Sequence, residues 1–397
     1  MNISKKIGSQ ALMIILGTFI PSVAIGMVNT DIAYYFTTLR GFPTTFSGLL
    51  FTLEGLSAIL LSIPFGIFSD RYGRKRFILL GSGLIGTSIA LIALAENEIL
   101  LYFIAIFLGL ADASLTASLG AMLADYSNEN NRTLIFSISS FANTAAFGLG
   151  GLLLLLNIPL VSVGFSDLDA HILLYISLSL GSLASLVILF RIPEKRISLN
   201  SGIKLGFVSK PTLNLLIKYS TANLFIAFGA GLFVPLMSQW FKFKYNVSDV
   251  LSGPILGISS ILVAASQLVA PIFARRLGLV KAIVVTQALS TVFLVATPIP
   301  TYFFLSAIFY IIRSFMMNAA NPLSNSLIMG IVKEEERGIT SSITAIFWRI
   351  PNAISTYIGS FLLEIGLLDL PFYFAAILYL ISIYMFWLWF RSFNEKR

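Results

Sequence analysis

Polar breaks divide the chain into twelve apolar runs, at residues 10–37, 45–68, 77–95, 99–124, 134–157, 171–191, 213–239, 249–273, 281–298, 302–330, 340–363 and 371–391. A helix of about 20 apolar residues crosses a hydrocarbon core of ~30 Å. The runs therefore predict an all-α membrane protein with twelve transmembrane helices. An even number puts both termini on one face. The first run is too long for a cleavable signal and lacks a small-residue cleavage site, so it is expected to stay as the first helix.

Charge settles which face that is. On the side of the N-terminus the connections carry 21 lysines and arginines, against Arg40, Lys242 and Lys244 on the other side. Loops rich in Lys and Arg stay in the cytoplasm. The expectation is a multi-pass protein of the plasma membrane with cytoplasmic termini. Composition agrees, since only 11% of residues are charged and 57% are hydrophobic, where a soluble chain has about a quarter charged. The net charge of +8 is spread over short loops between apolar runs, which argues against a nucleic-acid partner and for the lipid bilayer. There is no cysteine, which excludes disulfides, thiolate metal sites and thiol catalysis. No Walker loop, zinc spacing, catalytic triad or dinucleotide fingerprint occurs, so neither enzymatic chemistry nor a cofactor or metal is expected.

The longest cytoplasmic connection, 192–212, contains Pro193, Gly202, Gly206 and Pro211. It predicts three parts: a six-helix bundle over 1–191, the linker 192–212, and a second six-helix bundle over 213–397. An internal repeat supports this. Gly73 and Gly278 lie 205 residues apart, and the same offset lays Arg132 over Arg337. Two pseudo-symmetric halves around a midplane site are a common transporter plan.

Between the second and third runs lies Gly66-Ile67-Phe68-Ser69-Asp70-Arg71-Tyr72-Gly73-Arg74-Lys75-Arg76, read as a basic loop. The pattern Gly-x-x-x-Asp-Arg-x-Gly-Arg-Lys closely resembles the signature between helices two and three of the major facilitator superfamily, particularly its prokaryotic efflux-type members. The resemblance implies a secondary transporter that moves a small solute by alternating access, commonly with protons. It also implies a latch made of Gly66, Asp70, Arg71, Gly73, Arg74 and Lys75. Asp70, held by Arg74, would sit at the backbone amides around Thr340 and Ser341 at the start of helix eleven. Arg275 and Arg276, at the matching place in the second half, are read as solvated partners of Glu334, Glu335 or Glu336. Gly150-Gly151 in helix five resembles the end of an antiporter motif, and equally suits close helix packing.

Charges inside the bilayer cost about 2.5–3.5 kcal/mol each on insertion scales, so each needs a reason. The embedded acids are Asp31, Glu54 and Asp112, and the embedded bases are Arg313 and Arg349. None is matched by a like charge across the repeat. Asp112, Glu54 and Asp31 are the candidates for proton coupling. For Asp31, beside Tyr34 and Tyr35, a solvated place in an interfacial girdle is the equal alternative. Arg349, Arg313, Asn318, Asn321, Asn352 and Asn143 are the candidates for a substrate cavity, because asparagines follow the arginines at helical spacing. His171, the sole histidine, is expected to be a solvated helix cap, with a proton relay as the alternative. Pro235 and six other prolines are expected to kink apolar spans.

The function that best fits is a proton-coupled exporter (antiporter) of drug-like or metabolic compounds, acting as a monomer. An organic-anion uptake or exchange carrier using Arg313 and Arg349 is the alternative, and a transport-dead membrane sensor a remote one. Topology is directly testable in this cysteine-free chain. Single cysteines at Ser4, Ser201 and Ser248 should react with an impermeant thiol reagent in right-side-out vesicles only at position 248. Labelling at 201 and not at 248 would invert the orientation.

Overall fold

The computed structural model describes residues 8–128, 131–194, 209–333 and 336–393. Among them all regular structure is helical, and twelve helices are long. They are α1 (Ser9–Tyr34), α2 (Thr44–Tyr72), α3 (Arg74–Leu94), α4 (Glu98–Asp125), α5 (Arg132–Leu152) and α6 (Asp167–Phe190). The second set is α7 (Lys210–Gly231), α8 (Asp249–Leu277), α9 (Leu279–Ala296), α10 (Phe303–Ile331), α11 (Arg337–Glu364) and α12 (Leu370–Phe390). Eleven spans are long and apolar enough to cross a membrane. The helix outside that set is α11, which carries Arg349, Pro351 and Asn352 along its length.

Three expectations about element boundaries need correction. The basic stretch after the second run is not a loop. Helix α2 continues to Tyr72, and Gly73 alone separates it from α3. Gly73 has φ +109°, a left-handed conformation open to glycine, and its N–H closes the last turn on Ser69 O at 3.0 Å. Gly278 repeats this between α8 and α9, with φ +80° and an N–H to Ala274 O at 2.9 Å. The run 134–157 is also not one helix: α5 stops at Leu152, and a 3-10 segment (Leu153–Leu156) leads into a short helix, Asn157–Ser162. The run 213–239 breaks after Gly231, because Pro235 has no N–H to continue the ladder; a 3-10 turn (Val234–Leu236) and a helix (Met237–Tyr245) follow.

Packing repeats with a period of six helices. In the first set α1 packs on α5 and α6, and α3 on α4 and α6. In the second, α7 packs on α11 and α12, and α9 on α10 and α12. The start of α5 at Arg132 and of α11 at Arg337 keeps the repeat offset seen in the sequence. By contacts the chain forms two units. Unit one is Met1–Phe42, Leu49–Gly202 and Asp249–Ser260; unit two is Pro43–Gly48, Ile203–Ser248 and Ile261–Arg397. Most of the 192–212 linker lies outside the described residues.

Apolar side chains gain little by leaving lipid for one another, so helix pairs depend on close fit. In unit one that fit is made by glycine. A Cβ on Gly150 would lie 2.3 Å from Met27 N, and one on Gly26 2.1 Å from Phe147 O. On the other face, a Cβ on Gly257 would lie 2.4 Å from Gly148 O. Gly150-Gly151 thus brings α5 into backbone contact with α1 and with the first turns of α8. In unit two, Tyr219, Ile283, Leu323, Phe386 and Phe390 belong to one buried core.

At the start of α7, the Glu336 carboxylate accepts the Ser209 N–H at 2.7 Å and the hydroxyls of Ser209 and Thr212. These bonds hold its carboxyl below the usual carboxylate range. Glu336 is therefore engaged by a helix N-terminus rather than standing as a solvated loop partner of Arg275 or Arg276. Glu334 and Glu335 lie outside the described residues.

The glycine contacts are measurable. Gly150→Ala should destabilise the protein by about 1–3 kcal/mol, the usual cost of overpacking, in reversible unfolding in mixed micelles. Gly120→Ala in α4, with nothing within 4 Å of the new Cβ, should be neutral or slightly stabilising. Equal effects at the two positions would remove close packing as the role of Gly150.

Candidate functional site

In unit two, α10 and α11 bring their polar faces to one cavity of about 540 Å³. Arg313, Asn318 and Asn321 line it from α10, and Arg349 and Asn352 from α11. These are five of the six predicted cavity residues. The sixth, Asn143, belongs to unit one, where its Oδ1 accepts the Ser22 hydroxyl at 3.0 Å. The helical 3- and 4-residue steps put each set on one face, and small neighbours such as Ala345 leave room.

The asparagines are partly preorganised. Asn318 Nδ2 donates to Ser314 O at 2.9 Å, and Asn321 Nδ2 to Asn318 Oδ1 at 3.1 Å. Asn352 Nδ2 donates to Ala227 O at 3.1 Å, pinning α11 to α7. Arg313 is the deepest member, only 3% exposed. Its Nη2 donates to the Tyr379 hydroxyl of α12, and its guanidinium lies 4.7 Å from the centre of the Phe233 ring. Its Nε has no hydrogen-bond partner. Arg349 is half-buried and lines the cavity from α11. The cavity therefore presents positive charge, amide groups and aromatic faces.

The acids stand in unit one. Glu54 and Asp112 are half-buried. Helices α2 and α4 touch where a Cβ on Gly109 would lie 2.2 Å from Glu54 O and 2.0 Å from Ser57 Oγ. Glu54 and Asp112 thus occupy adjoining turns of packed helices.

Asp31 is placed differently from either alternative that leaves it in solvent. It is fully buried, as are Tyr34 and Tyr35, so these residues form no interfacial girdle. Its Oδ2 accepts the Tyr175 hydroxyl at 2.9 Å and lies 3.7 Å from His171 Nε2. His171 is not a solvated cap either; it too has no exposed surface. Its Nδ1 lies 2.7 Å from Asp167 O, and its Nε2 lies 2.8 Å from Asp249 Oδ2. Asn157 Nδ2 sits 3.0 Å from the same Nε2. The N-terminal end of α6 is covered by α1 and the first turn of α8, which explains the burial. These contacts draw together Asp31, His171 and Asp249, with ligand-type atoms all within 4.8 Å of one another.

The signature stretch shows a division of work. Arg74 Nη1 bonds Asp125 Oδ1 at 2.6 Å and Ala121 O at 3.0 Å, tying α3 to the end of α4. Lys75 Nζ donates to Phe190 O at 2.6 Å, tying α3 to α6. A Cβ on Gly73 would fall 1.7 Å from Glu194 Oε1. Arg71 stacks near Tyr72, and Gly66 has open space beside it. The side chain of Asp70 lies outside the described residues.

Sequence reading missed several residues. Asp249 looked like an ordinary acid in the first turn of a helix, which the helix dipole favours. Asn157 sat at the assumed end of a span. Tyr379, Phe233 and Trp348 of the cavity are aromatics in apolar runs, which nothing in the sequence distinguishes from lipid-facing ones. Asn223 and Gln287, which also line the cavity, were legible as amides inside spans.

Comparison with known proteins is consistent throughout. The family model of the Major Facilitator Superfamily matches residues 14–222 and again 219–397. An uncharacterised MFS-type transporter of Methanocaldococcus jannaschii is 24% identical over 272 residues, 66% of this chain and 67% of that protein. The quinolone resistance protein NorA of Staphylococcus aureus is 23% identical over 242 residues, so the chain spans 60% of NorA's length and 60% of its own. Among solved structures, a bacterial homologue of the human lysosomal transporter Spinster, inward-facing and occupied, superposes with a TM-score of 0.77 at 14% identity. That match covers 98% of this chain and 97% of the other. Two matched repeats, the helical architecture and these likenesses agree: the chain belongs to the Major Facilitator Superfamily and is a multi-pass membrane transporter of a small molecule, not an enzyme.

Proposed function

We propose that this chain carries a small organic solute with an anionic group, held in the unit-two cavity by Arg313 and Arg349. One observation supports this most. Arg313 is almost fully buried, and no acid lies within ion-pair distance of it among the described residues. A buried cation without a counter-charge is costly, and a tyrosine hydroxyl with an aromatic face offsets only part of that cost. A carboxylate or phosphate on the solute would complete the pair with a fork of hydrogen bonds. The cavity volume of about 540 Å³ suits a drug-sized solute.

A second reading concerns drive and direction: proton-coupled export by alternating access across the plasma membrane, with cytoplasmic termini. Its support is the pair of embedded carboxylates, Glu54 and Asp112, on adjoining turns, together with the likeness to a quinolone resistance protein.

Proteoliposome flux under an imposed pH gradient, screened over cationic, neutral and anionic solutes, tests both. Anionic solutes should move fastest. Arg313→Gln should raise the half-saturating concentration about tenfold or more, the worth of one charge-assisted hydrogen bond, with Arg313→Lys between the two. A preference for cations, or unchanged saturation in Arg313→Gln, would overturn the anion reading. In the same vesicles Asp112→Asn should reduce gradient-driven flux to the level without a gradient, while solute exchange at equal pH persists. Undiminished gradient-driven flux would remove Asp112 from coupling.

A further inference from the structure

The cluster of Asp31, His171 and Asp249 does not line the arginine cavity, yet it gathers two carboxylates and an imidazole with no solvent exposure. Its hydrogen bonds constrain where protons can be. Asp167 O is a carbonyl and only accepts, so the ring nitrogen 2.7 Å from it, Nδ1, carries a hydrogen. A neutral ring would then turn the lone pair of Nε2 towards Asp249 Oδ2, an acceptor at 2.8 Å. Two bare acceptors do not rest at that distance. A proton must lie between them, on one atom or the other.

The surroundings point the same way. Among the described residues, His171 is the only basic group within ion-pair distance of either carboxylate. Asp31 Oδ1, Asp249 Oδ1 and Asn157 Oδ1 are buried and unpartnered. With both acids ionised and the ring neutral the cluster would hold two negative charges in a fully buried place. A proton shared by Nε2 and Oδ2 removes one of these charges and leaves Asp31 as a carboxylate that accepts the Tyr175 hydroxyl. The other groups facing it are Tyr34 and Tyr35, whose rings lie 6.4 Å and 6.1 Å from the imidazole, Tyr175, and Asp167, whose Oδ1 is 3.5 Å from Nδ1. None of them supplies a positive charge. A divalent cation would neutralise two acids. The geometry disfavours it, because Nε2 and Oδ2 already stand at hydrogen-bond distance and Asp31 Oδ2 is taken by Tyr175.

The three residues come from three helices, and one is out of place in the repeat. Asp31 and His171 lie in the first family match and Asp249 in the second. Residues Asp249–Ser260 nonetheless pack within unit one. We propose that Asp31, His171 and Asp249 form a proton-binding clasp that fastens the first turns of α8 to α1 and α6 when protonated and releases them when the shared proton is lost. On proton loss, Nε2 and Oδ2 repel and the carboxylates seek water, so α8 withdraws. This site is separate from the arginine cavity, and the clasp holds or fails independently of which solute is carried.

The test uses no solute. Spin labels on Phe165→Cys and Leu251→Cys, both exposed positions, report the distance between the start of α6 and the start of α8 in the purified, reconstituted chain. The short distance should dominate at pH 5, and a longer one should grow towards pH 9 with a single midpoint. His171→Gln and Asp249→Asn should each abolish or displace this midpoint, since the proton shared by Nε2 and Oδ2 is gone while Asp31 and one partner remain. Asp31→Asn, which keeps an acceptor for Tyr175, should move the midpoint down by about one pH unit or more, because a negative neighbour that favoured protonation is gone; it also serves where the other two variants fail to fold. An unmoving distance in the parent overturns the clasp, as does a titration unchanged in all three variants. If the short distance persists at pH 9 only with added Zn²⁺ or Mn²⁺ and is lost on chelation, the site is a metal site and the proton assignment falls.

Discussion

Hydrocarbon offers no hydrogen bonds, and that single constraint sorts every polar group in this protein. Backbone amides are satisfied by helix. Hydroxyls are nearly as cheap, because they turn back onto their own helix, as Thr18 does to Ile14 O and Thr30 to Gly26 O. Amides and charges have more donors and acceptors than one helix can satisfy, and several reach a neighbouring helix. Asn352 finds Ala227, Arg313 finds Tyr379, and His171 finds Asp249. Where such groups gather, helices are pinned together and chemistry becomes possible. The same bonds that make the bundle specific therefore mark its two polar centres.

The two sets of six helices share a backbone plan and differ in what they carry. The four closest helix pairings of the first set recur in the second, and the left-handed glycine between the second and third helix recurs as well. Side chains did not follow. The first set carries Glu54 and Asp112, and the second carries Arg313 and Arg349 at positions that do not correspond to them. A symmetric scaffold thus holds a polarised distribution of charge, with embedded acids in one half and embedded arginines in the other.

Much of this was legible in the sequence, and the reasons are specific. Twelve apolar runs map onto twelve long helices because lipid imposes a length. The repeat offset survives because Gly73 and Gly278 answer one backbone need. Five of six cavity candidates meet in one cavity because helical spacing is reliable inside a straight helix. What failed was position across helices. His171 and Asp31 sit near helix ends, where sequence suggests water, and only the covering turn of α8 makes them buried. Asp249 was hidden by its suitability for an ordinary helix start. The break of α7 came from Pro235, where a kink was expected, since a 3-10 turn there costs less than a distorted ladder.

The composition of α11 has a consequence for how the protein is made. Its polar face, with Arg349 and Asn352 beside Pro351, leaves it short of the hydropathy of the other eleven spans. A nascent segment of this kind partitions poorly from the translocon into lipid by itself. Helix α7 leaves the ribosome more than a hundred residues earlier, and its Ala227 carbonyl is the acceptor that Asn352 needs. The order of synthesis thus provides a docking partner in the membrane before the least hydrophobic helix arrives. Biogenesis of the second half depends on α7 waiting there, so a lesion on α7 far from any ligand would show itself first as failed insertion and degradation of the chain.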